Sequence, residues 1–229
     1  MKNTLTNVLV GTTLLGLASC TELKGPRQVE FRGETGPPTL ISAETMDIDQ
    51  DGKIDHYKLT FDRTINDTTF PGYISDSVQG NSTTRWLVAG YNNVRFDPTV
   101  SGDGKNDKVI YLAFDESSQL DTGAVPDVTT TSEPMLKGMS GEFVSAISSA
   151  SVTEIDRVAP IIVDAISPLT NNLFLRFSER IYTSASGGDA FAASAFTYTN
   201  VAAGGATAIT AIGEADGTDS GIRLTLDSA

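Results

Sequence analysis

Residues 47–61 read DIDQDGKIDHYKLTF, and the two halves of this stretch obey different rules. From Tyr57 onward, Tyr57, Leu59 and Phe61 alternate with Lys58 and Thr60. That is the period of two expected of a strand with one buried face. Ahead of it, Asp47, Asp49, Asp51 and Asp55 crowd around Gly52, a spacing that packing does not explain. A polar turn delivering an amphipathic strand sets the reading of the rest.

Outward from that stretch the same grammar recurs. Thr39 to Ala43, after Pro37-Pro38, reads as the strand entering the loop. Arg85 to Val88, Val94 to Phe96 and Val109 to Phe114 are further short β-type runs, with turn clusters such as Gln79-Gly80-Asn81-Ser82 between them. Trp86 and Tyr91 are expected as core or corner aromatics. Between Ser132 and Ser149, Pro134, Gly138 and Gly141 break any helix, and Phe143, Val144 and Ile147 suggest a late strand. Ser151 to Ile155 reads as a closing strand, and Asp156 to Pro160 as a joint. Sustained helical periodicity is lacking, so the expected class is all-β.

After the joint the pattern restarts. Ile161 to Pro168 reads as a strand, and in Leu173 to Ile181 the side chains of Leu173, Leu175 and Phe177 share one face. Leu59-Thr60-Phe61-Asp62, with Ile65 beyond, matches Leu175-Arg176-Phe177-Ser178, with Ile181 beyond. Both run L-x-F, a short polar residue, then an isoleucine four places after the phenylalanine. Leu112-Ala113-Phe114-Asp115 is a looser echo. A repeated unit of strand, turn and L-x-F strand predicts two domains related by duplication. The run from Ala159 to Ile181, and Thr39 to Ile65 with the loop inserted, resembles the opening of bacterial immunoglobulin-like domains in cell-surface proteins. That resemblance implies tandem Ig-like β-sandwiches in an extracellular setting.

The N-terminal residues MKNTLTNVLVGTTLLGLASC carry Lys2 and an apolar run from Val8 to Ala18, the proportions of an export signal. The run ends in Leu17-Ala18-Ser19-Cys20, which resembles the lipobox of bacterial lipoproteins. The resemblance implies cleavage after Ser19 and lipidation at Cys20; an ordinary secretory signal with an incidental cysteine is the other reading. Thr21 follows, where an aspartate would resemble an inner-membrane retention signal, so the outer membrane is the expected address. Cys20 is the only cysteine, which excludes an intramolecular disulfide. The expected organisation is a signal peptide at residues 1–19, a flexible tether at 20–36, an Ig-like β-sandwich with the aspartate loop at 37–157, and a partial second Ig-like domain at 158–229. The 70 residues from Pro160 to Ala229 fall short of the roughly 100 such a sandwich needs, so either the domain is a reduced one or, as expected here, the protein continues past Ala229.

Cleavage would remove Lys2 and no acid, leaving 15 of the 16 basic residues against 29 acidic ones. So acidic a chain argues against nucleic acid as a partner and against an electrostatic grip on anionic lipid. Membrane attachment would come through the lipid.

The aspartate loop has the spacing of a hard-cation site. Asp47, Asp49 and Asp51 fall at positions 1, 3 and 5 of D-x-D-x-D-G, Gly52 at 6 and Asp55 at 9. The Lys53 backbone carbonyl falls at 7, leaving its side chain to solvent, and Ile54 would pack inward. The loop resembles those of EF-hands, dockerins and thrombospondin type 3 repeats, which implies Ca2+. Position 12 departs from the EF-hand, with Lys58 in place of a bidentate glutamate, so Asp62, Asp67, Asp76 or water would complete the shell. A plain Asp-Gly turn is the competing reading. Ser101-Gly102-Asp103-Gly104-Lys105-Asn106-Asp107 is a second loop of lower charge, with Asp103 and Asp107 as its metal candidates and a hairpin turn as its alternative.

Enzyme chemistry finds little to stand on. His56 is the only histidine, and beside a strand start a surface or pocket-edge position is expected for it. One His and one Cys cannot supply a zinc set, and no phosphate-cradling glycine motif is present. The expectation is a non-catalytic, lipid-anchored, calcium-stabilised cell-surface protein for adhesion, binding or structural display, with a host, matrix or envelope protein or glycan as partner. Two other readings stay open: the stalk of a larger surface enzyme continuing past residue 229, and a periplasmic envelope component.

Overall fold

A computed structural model describes residues 35–131, 134–169, 171–181, 192–201, 205–214 and 220–227. The expected signal peptide, the lipobox-like stretch with Cys20 and nearly all of the expected tether lie outside the described residues. The chain is all-β, built from separate sheets of the sandwich type. Strands β1 (Leu40–Met46), β2 (His56–Phe61), β3 (Ile65–Asn66), β4 (Trp86–Val88), β5 (Arg95–Phe96) and β6 (Val109–Ala113) come first. They are followed by β7 (Val128–Thr130), β8 (Lys137–Gly138) and β9 (Glu154–Ile155).

The main sheet has the order β5-β6-β2-β1-β9. Its pairs are antiparallel except β1 with β9, which is parallel. Register does what the alternation demanded: Tyr57 faces Leu112, Leu59 faces Ile110, and Tyr57, Leu59 and Phe61 are all fully buried. The opposite face is polar, where Lys58 sits across from Glu44 and the pair is loosely joined at 3.9 Å.

The buried face is covered by the β4-β7 pair, which brings Trp86, Val88 and Val128 into one core with β2 and β6. Phe70 bridges Trp86 and Phe96, with ring centroids 5.3 Å from each. The Trp86 indole donates to the Pro134 carbonyl at 3.1 Å, so its one polar atom is satisfied inside. Tyr91 packs on Phe114 at 4.8 Å and donates its hydroxyl to Asp121. Between residues 134 and 149 the late strand does not form. Gly141, at φ +91°, turns the chain so tightly that β8 meets only β3 and a single bridge to Phe143. Val144 and Ile147 are buried without being strand, while Phe143 stays exposed under the Lys137 ammonium, 4.5 Å from its ring centre.

Past the joint, β10 (Ile162–Leu169), β11 (Asn172–Phe177), β12 (Ile209–Glu214) and β13 (Gly221–Leu226) form an antiparallel sheet in the order β10-β11-β13-β12. Leu175, Ile222 and Leu224 make a small core, with Leu173, Phe177 and Phe196 packed against it. The two sheets meet through Ser178, whose hydroxyl is 2.7 Å from that of Thr122 and accepts the Ile161 amide at 3.0 Å.

Candidate metal centre

The β1–β2 connection is a curl of side-chain-to-backbone hydrogen bonds. Asp47 accepts the Gln50 amide at 2.7 Å on one oxygen and the Gly52 amide at 2.9 Å on the other. Asp51 accepts the Lys53 amide at 3.0 Å, and Asp55 takes the Ile48 amide on both oxygens at 3.1 and 3.2 Å. Wrapping amides around carboxylates forces left-handed backbone at Gln50, φ +63°, and at Gly52, φ +94°. Glycine is required at the second position for a further reason: a Cβ there would run into the Ile161 side chain and come within 2.8 Å of Leu120.

The curl draws its carboxylates together. Asp47, Asp49 and Asp55 each place an oxygen within 4.8 Å of the others, as do Asp49, Asp51 and Glu116. Such groupings are the raw material of a hard-cation site, because oxygen ligands held this close repel one another until a cation or a hydrogen-bond donor intervenes. Glu116 was not anticipated in sequence; it arrives from the far end of β6, 65 residues beyond Asp51. The Lys53 side chain, expected in solvent, instead reaches Asp51 at 2.7 Å and Glu116 at 3.1 Å. Those two carboxylates hold its ammonium well above the ordinary lysine pKa. The Lys53 carbonyl has no amide partner among the described residues, whereas the Gly52 carbonyl takes the Asp121 amide at 3.1 Å.

The frame around the loop is rigid. Ile54 is fully buried, and its amide donates to Asp121 at 2.8 Å. The Asp55 amide donates to the Met46 carbonyl and its carbonyl accepts the Phe114 amide, both at 3.0 Å, tying the loop to β1 and to the end of β6. His56 differs from expectation. It lies nearly buried between Asp55 at 2.7 Å on Nδ1 and Asp97 at 3.0 Å on Nε2. Burial works against its charge, but the two carboxylates outweigh burial and hold the imidazole pKa above its usual value. A ring facing two acceptors needs both N–H groups, so His56 is an internal counter-ion.

The residues named as completing the shell go elsewhere. Asp62 binds the Thr39 amide and Arg63, Asp76 pairs with Lys105 at 2.5 Å, and Asp67 joins the second loop. In that loop the Asp107 Oδ1 caps the Val109 amide at 2.6 Å, and its carbonyl accepts the Ile65 amide at 2.6 Å. Asp67 and Asn106 exchange hydrogen bonds, each amide donating to the other's side chain, at 3.1 and 2.9 Å.

Beside the first loop lies an open cleft of about 620 Å³, whose walls include Glu44, Asp47, Lys58, Tyr111 and Arg157. It mixes both signs of charge with an aromatic ring. No helix among the described residues is long and apolar enough to cross a membrane. No protein-family model matches the chain, and no curated protein or solved structure matches it.

Proposed function

We propose that this is a lipid-anchored, calcium-stabilised cell-surface protein whose Ig-like domains serve adhesion, binding or structural display. The single observation that carries the reading is the convergence of Asp47, Asp49 and Asp55 within 4.8 Å on a loop hydrogen-bonded to β1 and β6. A divalent cation there neutralises the loop and locks the hairpin that starts the main sheet, which makes its role structural. Asp49 is the most accessible of the three carboxylates and the one least committed to backbone amides, so it is the leading ligand. The mixed-charge cleft beside the loop is the surface a protein or glycan partner would use, since calcium fixes its Asp47 wall.

Attachment rests on Cys20 and the lipobox that precedes it. Calcium is expected to raise the melting temperature of the purified protein, with stabilisation of about 2.7 kcal/mol at 100 times Kd. Asp49→Ala should remove the part of that rise due to this loop. An unchanged melting curve across millimolar calcium would sink the metal role. For the address, Cys20→Ala should release the protein from membranes, and protease treatment of intact cells should cleave the native form. Full protection of a membrane-bound chain would favour the periplasmic side.

A further inference from the structure

The second loop looks the poorer cation site in sequence, having half the aspartates of the first. In the fold, however, it is the second loop that leaves buried carboxylate oxygens unpartnered. In the first loop, the Asp47 and Asp55 oxygens and both Asp51 oxygens already receive amides, His56 or the Lys53 ammonium. Around the second, Asp67 is 2% exposed and its Oδ1 is buried without any hydrogen-bond donor. Its other oxygen takes the Asn106 amide at 2.9 Å, which ties Asp67 to the second loop. The Asp103 Oδ1 is likewise buried and without a donor.

Asp103 feels the charge of Asp67. Burial first, then the charges of Asp67, Asp107, Asp97 and Asp76, push the Asp103 carboxyl up to about 7. Burial and the charges of Asp107 and Asp76 raise Asp67 to about 6. The loop's own cation relieves Asp67 only in part, because Lys105 is paired with Asp76 at 2.5 Å. Lys108 donates to the Asp62 carbonyl. The Asp107 Oδ2 lies against Gly104, only 2.5 Å from where a Cβ would stand, so this loop too must have glycine at that point to admit a carboxylate.

We propose that Asp67 and Asp103, from segments 36 residues apart, are carboxylate ligands of a second hard-cation site, whose oxygen chemistry suits Ca2+. Two buried carboxylate oxygens without donors are costly to keep. A divalent cation satisfies both at once, with backbone carbonyls and water filling the six to eight oxygens calcium takes. The site deepens the calcium reading of residues 101–107 by adding Asp67, which sequence spacing had placed with the other loop. It would clip the turn after β3 to the loop before β6, replacing mutual repulsion by a shared ligand.

The experiment separates this site from the first. Full-length protein carrying Asp49→Ala and Asp51→Ala is titrated with CaCl2 by calorimetry, at constant pH and ionic strength. The expected result is one Ca2+ per chain still bound. Adding Asp67→Asn, which keeps an oxygen for the Asn106 amide, should weaken that binding at least tenfold. Asp103→Asn should do the same, and it disturbs no side-chain hydrogen bond. Circular dichroism confirms that each variant is folded. Loss of all binding in the Asp49→Ala, Asp51→Ala protein would overturn the second site and leave the first standing. Binding there that is indifferent to both Asn substitutions would overturn the assignment of these ligands.

Discussion

Asp62 accepts the Thr39 amide on its carboxylate at 2.8 Å and returns its own amide to the Thr39 carbonyl at 3.0 Å. Ser178 repeats the clasp with Ile161: its hydroxyl accepts that amide at 3.0 Å, and its amide donates to that carbonyl at 2.9 Å. In both places the residue following L-x-F grips the residue just before the entering strand. The sequence repeat is therefore also a repeat of hydrogen bonding, and the short polar residue is its working part. Each clasp closes the open end of an antiparallel pair, β1 with β2 and β10 with β11.

Removing either clasp has a predictable cost. Asp62→Ala and Ser178→Ala should each destabilise the protein by about 1 kcal/mol in urea denaturation, the net worth of a hydrogen bond with an amide left unpaired. Asp62→Asn retains an acceptor and should lose less. Equal stability of Asp62→Ala and the native chain would show that water replaces the carboxylate without loss.

Gly52 is the position where the loop tolerates least. Its φ of +94° disfavours any Cβ, and that Cβ would meet the Ile161 and Leu120 side chains. Gly52→Ala should cost about 1–3 kcal/mol, from backbone strain together with overpacking, measured as a fall in melting temperature. Because the strain lies in the loop proposed to hold calcium, added calcium should restore less stability to this variant than to the native chain. A variant that melts with the native protein would mean the curl is free to rearrange.

Much of this arrangement was legible in sequence where the cause is local. The face shared by Tyr57, Leu59 and Phe61 follows from alternation alone, and the burial of Ile54 follows from its place between aspartates that must point the other way. What was not legible comes from pairing over long separations. Glu116, Asp97 and Asp121 reach the loop region only because β6 and its flanks lie beside β2, a register no local spacing encodes. The same pairing buries His56, whose place beside a strand start had suggested a surface or pocket-edge position. Strand β12 escaped notice because Ile209 to Glu214 is rich in small residues with only two large apolar side chains. Phe143 was read as strand because an aromatic near valine has β character; the turn at Gly141 decides otherwise.

Lys53 competes with any cation for Asp51 and Glu116. Replacing its ammonium by a neutral side chain removes a positive charge from the edge of the site and frees two carboxylates. Lys53→Gln should therefore tighten calcium binding at the first loop severalfold, with the gain shrinking as salt is raised. Calorimetric titration of the Asp67→Asn protein, with and without Lys53→Gln, isolates that loop. Weaker binding in the Lys53→Gln protein would show that the lysine shapes the loop more than it competes.

Glu179, next to the Ser178 clasp, carries a buried Oε1 without a donor. Burial first, then the charge of Asp156, raises its carboxyl to about 7 from an ordinary 4.5, against the opposing hydrogen bond from Thr122. An acid whose pKa is higher in the folded chain binds its proton more tightly there. Its contribution to stability is thus complete below about pH 4.5 and declines as pH rises towards 7, beyond which it is flat. Glu179→Gln removes the titration while keeping the shape. The variant should be more stable than the native chain at pH 8, by about 1 kcal/mol after allowance for the side chain's partial exposure to solvent. It should lose that advantage by pH 4.5. Paired urea titrations across this range read the difference, which includes any change in the titration of Asp156 once its charged neighbour is gone. Parallel stability curves would show that Glu179 keeps an ordinary pKa and that the joint relaxes to hydrate it.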